Sequence, residues 1–252
     1  MKNLLIIGGT GFIGSSFIRQ NLDKYNFVSI SRKTPKKKVE KNNIRYLSID
    51  QKDEVNELLK NHNFSYVISS FGEINHDSFF CGGDQVLMSY FNAHLDILSK
   101  LNFKNIKQFI HIGSADEYGV SEIPLVEDVR ESPLTPYGIS RLAISSTLMM
   151  LAKTEKLPIK ILRVFLPYGP FQQKNKIIPY IINNILMKNK IKLSEGNQKK
   201  DFCYISDVNN AISKVLNSNN EGYGIYNVAS GKPITIKELT AKIISLMGEG
   251  EP

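Results

Sequence analysis

Lys2-Asn-Leu-Leu-Ile-Ile-Gly-Gly-Thr-Gly-Phe-Ile-Gly14 decides the fold. A short apolar run, Leu4 to Ile7, passes directly into Gly8-x-x-Gly11-x-x-Gly14, and the amphipathic segment Ser15 to Leu22 follows. That order reads as buried strand, glycine turn and helix. Such a turn lets the backbone approach a pyrophosphate, and the helix N-terminus offers unpaired N–H groups and the positive end of its dipole. The implied ligand is a dinucleotide, held by Gly8, Thr10, Gly11, Phe12, Ile13 and Gly14.

Composition sets the outer bounds. With 252 residues and 42% hydrophobic content, the chain can bury one large core, or one core with an appendage. No apolar run reaches the length of a membrane span, and Leu4 to Ile7 is too short for the centre of a signal peptide. A cytoplasmic protein with no membrane partner is expected. The two cysteines, Cys81 and Cys203, and the four scattered histidines show neither a disulfide framework nor metal-ligand spacing, so neither is expected. A net charge of +8 invites nucleic acid, yet the lysines are spread among asparagines and isoleucines rather than gathered into an arm. No nucleic-acid partner is expected. Only Arg32-Lys-Thr-Pro-Lys-Lys-Lys38 concentrates the charge, and its place after the second apolar run suits a small anionic ligand.

That second run, Phe27 to Ser31, is predicted as a strand whose end meets the adenosine ribose. An acid there would accept hydrogen bonds from both ribose hydroxyls and favour NAD. Ser31-Arg32-Lys33 instead joins a hydroxyl to two cations, which suits a 2′-phosphate and points to NADP, with NAD as the alternative. Ile44 to Ile49 is a third strand ending at Asp50, placed either to meet the adenine or to cap the helix Lys52 to Lys60. Phe64 to Ser70 is a fourth strand, Asp84 to Leu101 a helix, and Ile106 to Ile112 a fifth strand leading into Gly113-Ser114-Ala-Asp-Glu-Tyr-Gly119. Thr135 and Pro136 form a helix start, and Tyr137 and Arg141, four apart, share one face of that helix. Ile159 to Phe165 is a sixth strand. The alternation predicts an α/β fold, a Rossmann-type doubly wound parallel sheet.

Beyond Phe165 the alternation breaks at Leu166-Pro-Tyr-Gly-Pro170. A helix over Ile177 to Lys188, a strand near Ile191, a helix over Val208 to Leu216, a strand over Ile225 to Ala229 and a helix over Ile236 to Met247 are predicted. The expected division is 1–165 with 206–229 as the dinucleotide-binding domain. Segments 166–205 and 230–252 then form a small C-terminal substrate domain.

Gly8-x-x-Gly11-x-x-Gly14, Ser114, Tyr137, Arg163 with Tyr168-Gly-Pro170, Asp201-Phe202 with Asp207, and Tyr226-Asn-Val together resemble the extended short-chain dehydrogenase/reductases. These are the epimerases, dehydratases and reductases of sugar nucleotides, and the match runs over almost the whole chain. Lys174-Asn-Lys-Ile-Ile-Pro-Tyr-Ile-Ile and Gly196-Asn-Gln-Lys-Lys-Asp-Phe look most like reductases of nucleotide-bound 4-keto-6-deoxy sugars, of the CDP-abequose synthase type. The resemblance implies a nucleotide-diphosphate sugar as substrate and NADPH-dependent reduction of its 4-keto group, in surface polysaccharide synthesis. A 4-epimerase with tightly bound NAD is the alternative, then a 4,6-dehydratase, then a catalytically silent nucleotide-binding protein.

The resemblance also assigns residues. Ser114 would hydrogen-bond the substrate oxygen, and Tyr137 would give or take the proton. The family pairs this tyrosine with a lysine four residues on, which lowers its pKa and holds the nicotinamide ribose. Here Arg141 stands in that place, keeping the charge but spreading it over a planar fork. Lys200, where the family usually has arginine, would meet the substrate diphosphate, and Asn92 would order the site through hydrogen bonds. Asp207 is expected to cap the helix that follows it, and Arg163 to be structural. Leu166 departs from an asparagine common in the family. A dehydratase would place its acid at Ala115, leaving one of Asp116 and Glu117 in register. The helices carrying Asn92 and Tyr137 form the family's dimer interface, so a homodimer is expected. Relatives continue past Gly250-Glu-Pro252, so either a small substrate domain or a shortened one is expected.

Overall fold

The computed structural model describes residues 1–35, 43–72, 75–218 and 222–248. Lys36 to Lys38 of the basic run and Gly250 to Pro252 lie outside the described residues. Seven strands make one parallel sheet: β1 (Lys2–Ile7), β2 (Tyr25–Ser31), β3 (Ile44–Ser48), β4 (Tyr66–Ser69), β5 (Gln108–Ser114), β6 (Ile159–Val164) and β7 (Gly224–Val228). Their order is β7-β6-β5-β4-β1-β2-β3. This is the doubly wound arrangement that the alternation predicts. Leu4, Leu5, Ile6 and Ile7 are all buried, as a central strand covered on both faces requires.

Each face of the sheet carries its own core. On one side α2 (Lys52–Asn61), α3 (Gly83–Lys100) and α4 (Pro136–Thr154) bring Leu59, Ile97, Ile144 and Leu148 against Leu5, Val67 and Ile161. On the other, α1 (Phe12–Asn21) and α6 (Ile205–Leu216) bring Phe17, Ile18, Val208 and Ile212 against Leu4, Ile6 and Ile110. Removing one such large side chain costs on the order of 2–5 kcal/mol. Because the chain leaves β1 towards β2 and later re-enters beside β1 as β4, a crevice opens between their C-terminal ends. Ligands bind there in folds of this kind.

Outside the sheet, α5 (Ile177–Leu186) and α7 (Ile236–Met247) pack Ile181, Ile185 and Ile243 into a separate small core. Two short ladders support them. Pro167–Tyr168 runs parallel to Cys203–Tyr204, and Lys199–Lys200 runs antiparallel to Ile234–Thr235. The expected strand near Ile191 is not formed, residues 189–198 having no regular structure. No helix among the described residues is long and apolar enough to cross a membrane.

Helix starts explain two further points. Thr135 Oγ1 accepts from the Gly138 N–H at 3.0 Å and Pro136 opens α4, as the sequence predicts. Asp207, by contrast, is not a cap. The helix begins earlier, at Ile205 after Tyr204, because Ile205, Val208, Ile212 and Leu216 form one buried stripe, and Asp207 falls in its first turn.

Candidate active site

The glycine turn is shaped by backbone contact. Gly8 has φ +89°, and a Cβ there would lie 2.8 Å from both N and Cα of Phe71. A Cβ at Gly14 would lie 2.4 Å from the Gly8 carbonyl oxygen. Only glycine at both positions lets α1 start this close to β1. Gly11, the N-cap, supplies no side-chain cap, so the first-turn N–H groups, those of Phe12 and Ile13 among them, remain for an incoming anion. The turn therefore fits a pyrophosphate.

Ser31 closes the turn from β2. It is buried, and its Oγ accepts from the Thr10 N–H at 3.2 Å. Arg32 and Lys33 follow it at the surface, beside the end of β3, where Ser48 donates to the Arg32 carbonyl at 3.1 Å. Asp50 also sits here, exposed, accepting from Ser48 Oγ at 3.2 Å. It does not cap α2, whose N-cap is Gln51.

Across the crevice, β5 ends at Ser114, and its hydroxyl is engaged locally. It donates to Asp116 Oδ2 at 2.8 Å and accepts from the Asp116 N–H at 3.1 Å. The Ser114 N–H donates to Glu117 Oε1 at 2.8 Å. Glu117 is fully buried and accepts from Arg163 Nε at 3.0 Å, so one of the two acids beside Ser114 belongs to the framework. Tyr137 and Arg141, both buried on α4, face the same place. The Arg141 guanidinium carbon lies 5.1 Å from the centre of the Tyr137 ring. Burial opposes the Arg141 charge, but Tyr90 and Tyr137 more than offset it, and its pKa stands above the ordinary arginine value.

Sequence reasoning missed two neighbours of this group. Tyr90, buried on α3, accepts from Arg141 Nη1 at 2.5 Å. His76, exposed, sets its ring edge-on to Tyr137 with centroids 5.1 Å apart. Spacing could have pointed to Tyr90, because Tyr90, His94 and Ile97 form the buried stripe of α3. Asn92, two residues from Tyr90 and so on the opposite side of the helix, is exposed. It is not brought to Ser114, Tyr137 and Arg141, and Tyr90 makes the contact on α3. Lys200 lies exposed on its short ladder. Beside it Asp201 accepts from the Ser230 and Gly231 N–H groups, both at 2.8 Å, which fixes the loop after β7. No cluster of metal-ligating side chains exists among the described residues.

Comparison with known proteins bears on the family and the fold. Residues 4–229 match the model of the NAD dependent epimerase/dehydratase family. The chain is 26% identical over 264 residues to the human dTDP-D-glucose 4,6-dehydratase, covering 98% of this chain and 75% of that protein. The UDP-N-acetylglucosamine 4-epimerase of Methanobrevibacter ruminantium M1, solved in complex with UDP-N-acetylmuramic acid, is 25% identical with a TM-score of 0.89, over 98% of this chain and 83% of that one. The dTDP-glucose 4,6-dehydratase of Bacillus anthracis, solved in complex with NAD, shares the fold at a TM-score of 0.84 and 22% identity, over 100% of this chain and 83% of that one.

Proposed function

The chain belongs to the NAD-dependent epimerase/dehydratase family, and from that premise we propose that it is an NAD(P)-dependent oxidoreductase of a nucleotide-diphosphate sugar. In this reading it reduces the 4-keto group of a nucleotide-bound 4-keto-6-deoxyhexose with NADPH, within surface polysaccharide synthesis. The observation that carries the reading is the commitment of Glu117 to Arg163. A dehydratase needs an acid and a base to eliminate water. Of the two acids beside Ser114, only Asp116 is not paired with Arg163. A carbonyl reduction needs one oxyanion partner and one proton donor, and Ser114 and Tyr137 supply those two roles.

Bound nicotinamide would supply the hydride. Ser114 turns its hydroxyl from Asp116 to the substrate oxygen and stabilises the charge that develops there. Tyr137 gives its phenolic proton to the same oxygen, and Arg141 favours the phenolate left behind. The turn Gly8 to Gly14 holds the cofactor pyrophosphate, Ser31, Arg32 and Lys33 hold a 2′-phosphate, and Lys200 meets the substrate diphosphate. The second reading, a 4-epimerase that retains NAD, uses the same Ser114, Tyr137 and Arg141 and is favoured by the 25% identity to a solved 4-epimerase.

We also infer a homodimer formed through α3 and α4. Met88 and Leu95 on α3, and Ile139 and Met150 on α4, are exposed apolar side chains, each pair returning to one stripe of its helix. Light scattering in solution is expected to give twice the chain mass.

The deciding experiment titrates NADPH and NADH into the purified protein and follows NADPH oxidation with a panel of nucleotide-linked 4-keto-6-deoxy sugars. Substrate-dependent oxidation supports the reductase. Tight NAD without net cofactor turnover supports the epimerase, and binding without chemistry supports a silent nucleotide-binding protein.

A further inference from the structure

An arginine in the place of a catalytic lysine raises a geometric problem. A lysine delivers its charge at one point, whereas a guanidinium is a wide planar fork on a flexible stem. Unless something holds that fork, its charge is not fixed against the phenol it should influence. In this chain one arm is held. Nη1 of Arg141 donates to the Tyr90 hydroxyl at 2.5 Å and also faces the carbonyls of Ile112 and Phe71, at 3.3 and 3.5 Å. The guanidinium carbon lies 4.6 Å from the centre of the Tyr90 ring, so the same residue grips the arm and supports the plane.

The other arm is differently placed. A Cβ at Gly72 would come 2.9 Å from Arg141 Nη2 and 2.4 Å from Tyr90 Cε2, so the missing side chain at position 72 makes the room that both groups use. Gly72 follows β4 at the rim of the crevice. Nε of Arg141 is buried and has no partner among the described residues. Nε is thus left over from the protein's own hydrogen bonding, and the guanidinium already makes a side-chain hydrogen bond with Tyr137.

We propose that Tyr90, with the space left by Gly72, is the positioning residue that lets an arginine do a lysine's work at position 141. It commits Nη1 to the protein and leaves Nη2 and Nε for the Tyr137 phenol and the cofactor ribose. The inference deepens the reductase reading and rests on it for the catalytic consequence. The geometry of the clamp does not.

Tyr90→Phe tests it, since the ring stays and only the hydroxyl goes. Two readouts need no sugar substrate: the NADPH dissociation constant, and the absorbance titration of tyrosinate in the cofactor-free protein, taken as a difference against Tyr137→Phe. Loss of one hydrogen bond to a charged group is expected to weaken NADPH about tenfold and to move the Tyr137 ionisation to higher pH. In the Arg141→Lys background the same change is expected to have little further effect, so the two substitutions are non-additive. With a keto-sugar substrate, the pH profile of kcat shifts in step with the ionisation. Unchanged affinity and unchanged ionisation in Tyr90→Phe, or equal losses in both backgrounds, would overturn the proposal. A wild-type protein that turns over no keto sugar overturns the reductase reading instead, and the tyrosinate titration still decides the role of Tyr90.

Discussion

Arg163 and Arg141 are both buried, each keeps one nitrogen without a partner among the described residues, and their charges are balanced in opposite ways. Arg163, on β6, is fully buried, donates Nε to Glu117 at 3.0 Å and pairs through Nη2 with Glu131. It also lies 4.4 Å from the centre of the Tyr118 ring. Tyr118 donates to Asn227 Oδ1 at 2.7 Å, and the Asn227 N–H donates to Glu127 at 2.7 Å, so the loop after β5 is tied to β6 and β7. Arg141 bonds to no carboxylate among the described residues, only to the phenols of Tyr90 and Tyr137 and to two carbonyls. A cation between two carboxylates is framework. One left among neutral groups at the rim of a crevice is set to meet an anion that arrives, whether phenolate or ligand.

The strongest way to break that contrast is to remove each charge in turn. Arg163→Met leaves Glu117 ionised, buried and unpaired, and is expected to cost about 3–5 kcal/mol in urea unfolding. Arg141→Met strands no carboxylate among the described residues, only the Tyr90 hydroxyl and two carbonyls, so its effect on stability is expected to be smaller, about 1–2 kcal/mol. Its kcat for keto-sugar reduction is expected to fall about a hundredfold. Equal losses of stability in the two variants would show that the arginines do not differ in kind.

The pH dependence of stability sharpens the contrast. Burial first, then the nearby Arg141 cation against a partial gain from the Tyr90 carbonyl, holds the His94 pKa down to about 3 from 6.5. His111 is held well below its ordinary value by burial, by His94 and by Arg141. The unfolded chain therefore takes up protons as pH falls below about 6.5 while the folded chain does not. Stability is complete above that pH and declines below it, by up to ~1.4 kcal/mol per pH unit for each histidine. Unfolding free energies from pH 7 down to pH 4 are expected to show this decline, and in Arg141→Met, which removes a cation from beside both rings, the decline is expected to level off at a higher pH. Arg163→Met should keep the wild-type slope. His111→Phe should remove its own share.

The parts of this arrangement differ in how far they could be read from the sequence. The glycine turn, the seven strands, Thr135 with Pro136, and the placing of Tyr137 and Arg141 on one helix face follow from local chemistry: apolar period, turn residues and capping. The clamp on Arg141 joins α3, α4 and the end of β4, and no spacing in one segment shows that Tyr90 meets a residue from another helix. Asn92 illustrates the same limit. Its position matched a family pattern, but two residues along a helix separate a buried side chain from an exposed one. Glu117 was visible as an acid beside Ser114, and only the register of β5 against β6 reveals that Arg163 has claimed it.

The smallest expected effect concerns the acid that Arg163 has not claimed. Asp116 is exposed, yet its carboxylate accepts the Ser114 hydroxyl at 2.8 Å, so in the proposed reduction substrate would displace that bond before Ser114 could serve the carbonyl. Ser114 itself will not drift when the carboxylate is removed. Its N–H is held by Glu117, and Glu117 by Arg163. Asp116→Ala thus releases only the hydroxyl rotor. The bond lost is charge-assisted but lies at an exposed carboxylate, where solvent reduces its worth to about 0.7 kcal/mol, so kcat/KM for keto-sugar reduction is expected to rise, by about threefold. A fall of tenfold or more would mean that Asp116 takes part in proton transfer. The site would then carry one working acid beside its framework acid, and elimination would have to be weighed again against reduction.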